Sequence, residues 1–152
     1  MYKTILVPID LAHKSSYVNI LSAAAEEARY HGAKLCVMTV VPDLTAGVDW
    51  RYAIRGAQEG SEAYSRKELI KQAKERISTL VQEYVPVGVE VKILAKHGTI
   101  YKEILDAAEE VKADLIFLAA YRPSLKDYLL GSNAGRVVRH ATCSVTVVRE
   151  KT

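Results

Sequence analysis

Apolar and polar positions alternate between two kinds of segment along the chain. Thr4-Ile5-Leu6-Val7-Pro8-Ile9 is a short apolar run rich in strand-favouring residues, the pattern of a strand covered on both faces. Tyr17, Ile20, Leu21, Ala24 and Ala28 then recur at helical spacing, and Gly32 supplies a stop. Leu35 to Val41 predicts a second buried strand, ended by Pro42-Asp43. From Tyr64 to Tyr84 the apolar stripe Leu69, Ile70, Ala73, Ile77, Leu80, Val81 predicts a long amphipathic helix with a solvated, charged opposite face. Val89 to Ala95 alternates with Glu90 and Lys92 and predicts a strand at a sheet edge. Thr99 stands where a helix N-cap belongs, before Ile100, Ile104, Leu105, Ala108 and Val111. Leu115 to Ala120 is the most apolar run and predicts a central strand. A short helix from Asn133 to His140 and a fifth strand from Val145 to Val148 complete the series.

Strands alternating with helices predict an α/β fold with a parallel sheet and right-handed crossovers. Five strands in 152 residues fit an open doubly wound sheet in a single domain over 1–152. Ligands bind such sheets beyond the carboxyl ends of the strands, where the winding reverses. The two least polar strands, first and fourth, are the natural central pair. Their carboxyl ends carry Pro8-Ile9-Asp10 and Ala119-Ala120-Tyr121-Arg122.

Composition narrows the classes. The hydrophobic fraction is 49% and the charged fraction 26%, which excludes wholesale disorder. No segment approaches the roughly 20 apolar residues of a membrane span, and Asp10 interrupts the first apolar run, so no secretory signal is expected. A cytoplasmic location is expected, with Cys36 and Cys143 as buried free thiols. The net charge is −1 over residues 1–120 and +4 over 121–152. That is too little for a nucleic-acid binder, and reads either as a local anion site near the C-terminus or as an ordinary scatter of solvated charges.

Leu129-Leu130-Gly131-Ser132-Asn133-Ala134-Gly135 lies in that basic region. Gly131 allows close backbone approach, and Ser132 is an N-cap candidate. Free N–H groups at a helix start bind phosphate, and here no Asp or Glu quenches the first turn. Asp10 could hold a divalent cation against phosphates or could cap the loop after the first strand; the sequence leaves both open. A dinucleotide fingerprint, a P-loop and a nucleophile elbow are all absent. His13, His31, His97 and His140 show no metal-ligand spacing. The stretch Pro42 to about Ala63, with Trp50 and Tyr52, is long for a compact domain and reads either as a lid or as an anchored loop.

Five separated segments carry a resemblance: Lys3 to Asp10, Thr39 to Pro42, Ala113 to Ala119, Leu129 to Asn133, and Arg139 to Val148. In this order they resemble the universal stress proteins of the UspA superfamily, over the whole chain. Arg122-Pro123 with Tyr128 to Asn133 resembles the enterobacterial F/G-type branch. The resemblance implies a five-stranded sheet of order 3-2-1-4-5 and ATP binding, or binding of AMP or ADP, with magnesium or manganese at Asp10.

Nucleotide-binding members carry Gly-x2-Gly-x9-Gly-Ser/Thr. Here Ala119 and Arg122 replace the two glycines, and eight residues precede Gly131. Arg122 either crowds the phosphates or binds them. Binding is the favoured reading, because guanidinium suits phosphate and the branch resembled includes ATP binders with these substitutions. The family pattern further implies that the backbone around Ile9 and Val40 reads adenine, and that Pro8 and Leu118 wall the base. Asp10 then faces the ribose or a metal, and Ala119 and Arg122 border the ribose and phosphates. Gly131, Ser132 and Asn133 hold the phosphates. The expected role is a stress-response sensor or regulator, with no catalytic residue. A dimeric adaptor without nucleotide, and a slow ATPase or self-phosphorylating protein, are the rivals. The resemblance also implies a homodimer, or a dimer of dimers, through Val145 to Val148.

Overall fold

The computed structural model describes residues 1–12, 14–41, 66–120 and 131–149. The elements are β1 (Thr4–Pro8), α1 (Lys14–His31), β2 (Lys34–Val41), α2 (Arg66–Tyr84), β3 (Val91–His97), α3 (Ile100–Glu110), β4 (Leu115–Ala120), α4 (Gly131–His140) and β5 (Ser144–Arg149). The strands form one parallel sheet of order β3-β2-β1-β4-β5. This is the doubly wound α/β fold that the alternation predicts, with β1 and β4 side by side at the reversal of winding.

Two apolar clusters flank the sheet. Ile5, Val7, Val37 and Phe117 join Ile20, Leu21, Leu69 and Ile77 under α1 and α2. Leu6, Met38, Ile116 and Leu118 join Ile104, Ala107 and Val137 under α3 and α4. Both faces of β1, β2 and β4 are therefore covered, which is why these strands read as continuous apolar runs. β3 and β5 are the sheet's outer strands and carry exposed positions.

α1 ends as Gly32 predicts. Gly32 takes a φ of 65°, its N–H reaches the carbonyl of Arg29, and the N–H of Ala33 reaches that of Ala28. This is a Schellman stop. α3 ends in the same way, with the bonds Lys112 to Glu109 and Ala113 to Ala108, but the left-handed residue is Lys112, at φ 56°. At the amino edge of the sheet, the Asp114 carboxylate accepts the backbone N–H groups of Lys3, at 2.8 and 3.1 Å, and of Thr4, at 3.1 Å. The Asp114 N–H in turn donates to the Thr4 carbonyl.

Three sequence expectations shift. The third strand starts at Val91, not Val89, because Gly88 (φ 108°) and the bond from Val89 to Pro86 place those residues in a turn. α4 begins at Gly131, so Ser132 is a helical residue and not the N-cap. Cys36 is buried, whereas Cys143 is only half-buried. The stretch 42–63 and His13 lie outside the described residues, as do Tyr121 to Leu130. No helix among the described residues is long and apolar enough to cross a membrane.

Candidate functional site at the carboxyl ends of the central strands

The crossover geometry fixes where α4 starts. β4 ends at Ala120, and β5 begins at Ser144 in register with Leu115, at the start of β4. α4 must therefore run back along the sheet, with Gly131 at the carboxyl edge and His140 at the amino edge. Its first turn carries no acidic residue, while Arg139 and His140 occupy its last turn. The positive end of this helix is left facing the crevice without an internal carboxylate.

Asp10 lies at the same edge, two residues beyond β1. It is buried, and its Oδ1 accepts the N–H of Ala12 at 2.9 Å. That bond is the loop-capping role, and burial of the carboxylate beside the crevice leaves the cation role compatible with it. Among the described residues no group of three or more His, Cys, Asp or Glu could hold a metal ion. A cation at Asp10 would draw oxygen ligands from outside the described residues, such as ligand phosphates or water.

The predicted base-site residues divide between the two faces of the sheet. Val40 and Leu118 belong to the cluster under α3 and α4, and register places Pro8 beside Met38 of that cluster. Ile9 and Ala119 belong to the cluster under α1 and α2. Leu118 has no exposed surface and is a core residue of β4. The N–H of Ile9 donates to the Met38 carbonyl at 2.8 Å. Its carbonyl accepts the Thr39 hydroxyl at 2.9 Å. The backbone at Ile9 is thus held at both its N–H and its carbonyl by β2.

Asn133 is the third residue of α4, and its Oδ1 accepts the backbone N–H of Tyr101 at 3.1 Å. The predicted cap of α3 works differently from expectation. Thr99 stands at the N-cap with extended backbone, yet its side chain makes no capping bond; Asn133 supplies the acceptor from the neighbouring helix. Arg122 lies outside the described residues.

Sequence reasoning missed Thr39 and Gly98. Thr39 is a buried polar residue within the apolar run Leu35 to Val41, a signal visible in the sequence. Gly98 takes a φ of 147°, and a Cβ there would come within 2.9 Å of the Glu103 carboxylate. Its N–H donates to the Val41 carbonyl at 3.2 Å, tying the β3–α3 turn to the end of β2.

The described clefts lie away from this edge. One, of about 180 Å³, sits between the C-terminal ends of α3 and α4, beside Glu109, Lys112, His140 and Cys143. Another opens beside α1, around Glu26, Tyr30 and Phe117.

Comparison with known proteins agrees with this architecture. Universal stress protein G of Escherichia coli O157:H7 is 30% identical over 151 residues, covering 98% of this chain and all of that protein. The solved structure of MJ0577 superposes with a TM-score of 0.73 at 23% identity, covering 100% of this chain and 99% of that one. The universal stress protein of Archaeoglobus fulgidus in complex with dAMP gives a TM-score of 0.57 at 24% identity, covering 96% and 97%. The model of the universal stress protein family matches residues 1–149. With that span of sequence and this sheet order, the chain belongs to the universal stress protein family.

Proposed function

We propose that this chain, a single domain over 1–152, binds an adenine nucleotide, foremost ATP, and works in the cytoplasm as a stress-response sensor or regulator. The observation that carries the reading is the start of α4. A glycine and a serine open a helix with no acidic residue in its first turn, at the carboxyl edge of the central strand pair. Phosphates would lie on the N–H groups of Gly131, Ser132 and Asn133, with Arg122 and Ala119 alongside. The base would lie toward Pro8, Ile9 and Val40, over the floor made by Leu118. Asp10 would hold a magnesium or manganese ion against the phosphates. A related protein's complex with dAMP supports the class of ligand.

The same reading makes the protein a homodimer, or a dimer of dimers, through β5. That strand is a sheet edge with Val147 39% exposed, and an uncovered apolar edge is a ready template for a second copy.

Calorimetric titration tests the site. ATP should bind, and Arg122→Gly should weaken ATP about ten- to hundredfold, the worth of a charge-assisted hydrogen bond. Adenosine, lacking phosphates, should bind the variant as it binds the parent. Tighter ATP binding by Arg122→Gly would make Arg122 an obstruction, and no binding of ATP would favour an adaptor without nucleotide. Phosphate release on the enzyme timescale would favour the ATPase reading.

A further inference from the structure

We infer that Asn133 is a positioning residue: its side chain caps α3 and thereby fixes the start of α4 against the base end of the crevice. This rests on the nucleotide reading of that crevice. The donor at Tyr101 is a backbone N–H, so the Asn133 atom facing it is the amide oxygen. An amide oxygen is an acceptor and so is a phosphate oxygen, so this atom serves the protein and not the anion.

The bond meets a need that the sequence leaves unmet. The first N–H groups of a helix lack intrahelical partners. Thr99 contributes only its carbonyl, which accepts the Glu103 N–H at 2.9 Å. The N–H of Tyr101 is met from α4. Arg136, one turn further along α4, places its guanidinium carbon 5.1 Å from the centre of the Tyr101 ring, a cation–π distance. Residues three apart share a helix face. One face of α4 therefore grips the backbone and the ring of the same residue.

The grip continues to the other end of the crevice. Gly98 opens the turn into α3, and its N–H is bonded to the Val41 carbonyl, next to Val40. Val41 is joined to Gly98, and Tyr101 to Asn133, by one hydrogen bond each, and a short stretch of chain through Thr99 links Gly98 to Tyr101. The proposed base end and the proposed phosphate end are thus held in one register through the β3–α3 turn.

The test uses the full chain without ligand and then with ATP or adenosine. In Asn133→Ala, amide exchange at Tyr101 should quicken about fivefold in the unliganded protein, the size of a lost cap. ATP affinity should fall by a similar factor, about fivefold, while adenosine affinity stays put. Asn133→Asp keeps the acceptor, so Tyr101 should exchange as in the parent, while ATP binds more weakly because a carboxylate in the first turn offsets the positive end of α4. Unchanged Tyr101 exchange in Asn133→Ala would overturn the cap. If that variant does not fold, fast Tyr101 exchange in Asn133→Asp does the same. Quickened exchange with unchanged ATP affinity would make the contact merely structural and overturn the positioning role. Failure of the parent to bind ATP sinks the nucleotide reading and the positioning role with it, whereas the exchange arm still reads the cap by itself.

Discussion

The hydroxyl of Thr39 donates to the carbonyl of Ile9 at 2.9 Å, across the ends of two buried strands. Thr39→Val is close to isosteric and removes only the donor. It leaves a buried carbonyl with one partner fewer, at a cost of about 1–3 kcal/mol. Chemical denaturation should show that loss with an unchanged slope. The peptide joining Ile9 to Asp10 also loses a restraint, so on the proposed function nucleotide affinity should fall beyond what stability alone explains. An unchanged midpoint would mean that the bond contributes nothing net.

Lys112 is the clearest place to gain stability. It sits exposed at φ 56° at the end of α3, doing there what Gly32 does at the end of α1. A side chain in this conformation costs about 1 kcal/mol that glycine does not. Lys112→Gly should therefore raise the melting temperature by about 2–4 °C. A lower melting temperature would show that the Lys112 side chain makes contacts worth more than the strain.

Cys36 should be inert in the native protein. It is fully buried in β2, and burial pushes its thiol up from 9.0 to about 11, against the lowering influence of Lys92 and Lys34. Between those two values the unfolded chain loses this proton before the folded one does. Stability should fall as pH rises through that window, by up to about 1.4 kcal/mol per pH unit from this group. The measurement is the difference in alkaline slope between the parent and Cys36→Val, which should remove the contribution. A thiol reagent at pH 8 should label Cys36 only on unfolding. Rapid native labelling at that residue would contradict its burial.

The proposed dimer edge can be probed without disturbing the core. Val147 lies on the outer strand and is partly exposed. Val147→Glu should be tolerated by the monomer. Across a two-fold axis it would bring two carboxylates together and weaken association by at least about tenfold. Light scattering at micromolar concentration should show dimers for the parent and monomers for the variant. A monomeric parent would end the proposal.

The architecture was legible because β1, β2 and β4 are covered on both faces, and no amphipathic alternation obscured them. Where turn chemistry competed, at Gly88, the strand boundary slipped by two residues. Gly131, Ser132 and the missing carboxylate after them were readable as a helix start, but the identity of the α3 cap was not. Thr99 has the right residue type in the right place, and nothing local says that Asn133, some thirty residues on, takes the Tyr101 N–H instead. That choice is made by helix packing, which a linear pattern does not encode. Thr39 was overlooked for the opposite reason: a single hydroxyl in an apolar strand is weak as a motif and decisive as a bond.

The clasp of Asp114 on Lys3 and Thr4 joins residues 111 and 110 positions apart. For a chain emerging from the ribosome, this means that β1 is synthesised first and completed late. β2 can pair with one flank early, and β3 with β2, but the other flank of β1 has no neighbour until β4 has been translated. The nascent protein therefore carries an open, apolar strand flank through most of its synthesis, the kind of surface that chaperones guard. The central seam of the sheet, the most buried part of the finished molecule, is also its longest-range closure and the step expected to limit how fast it folds.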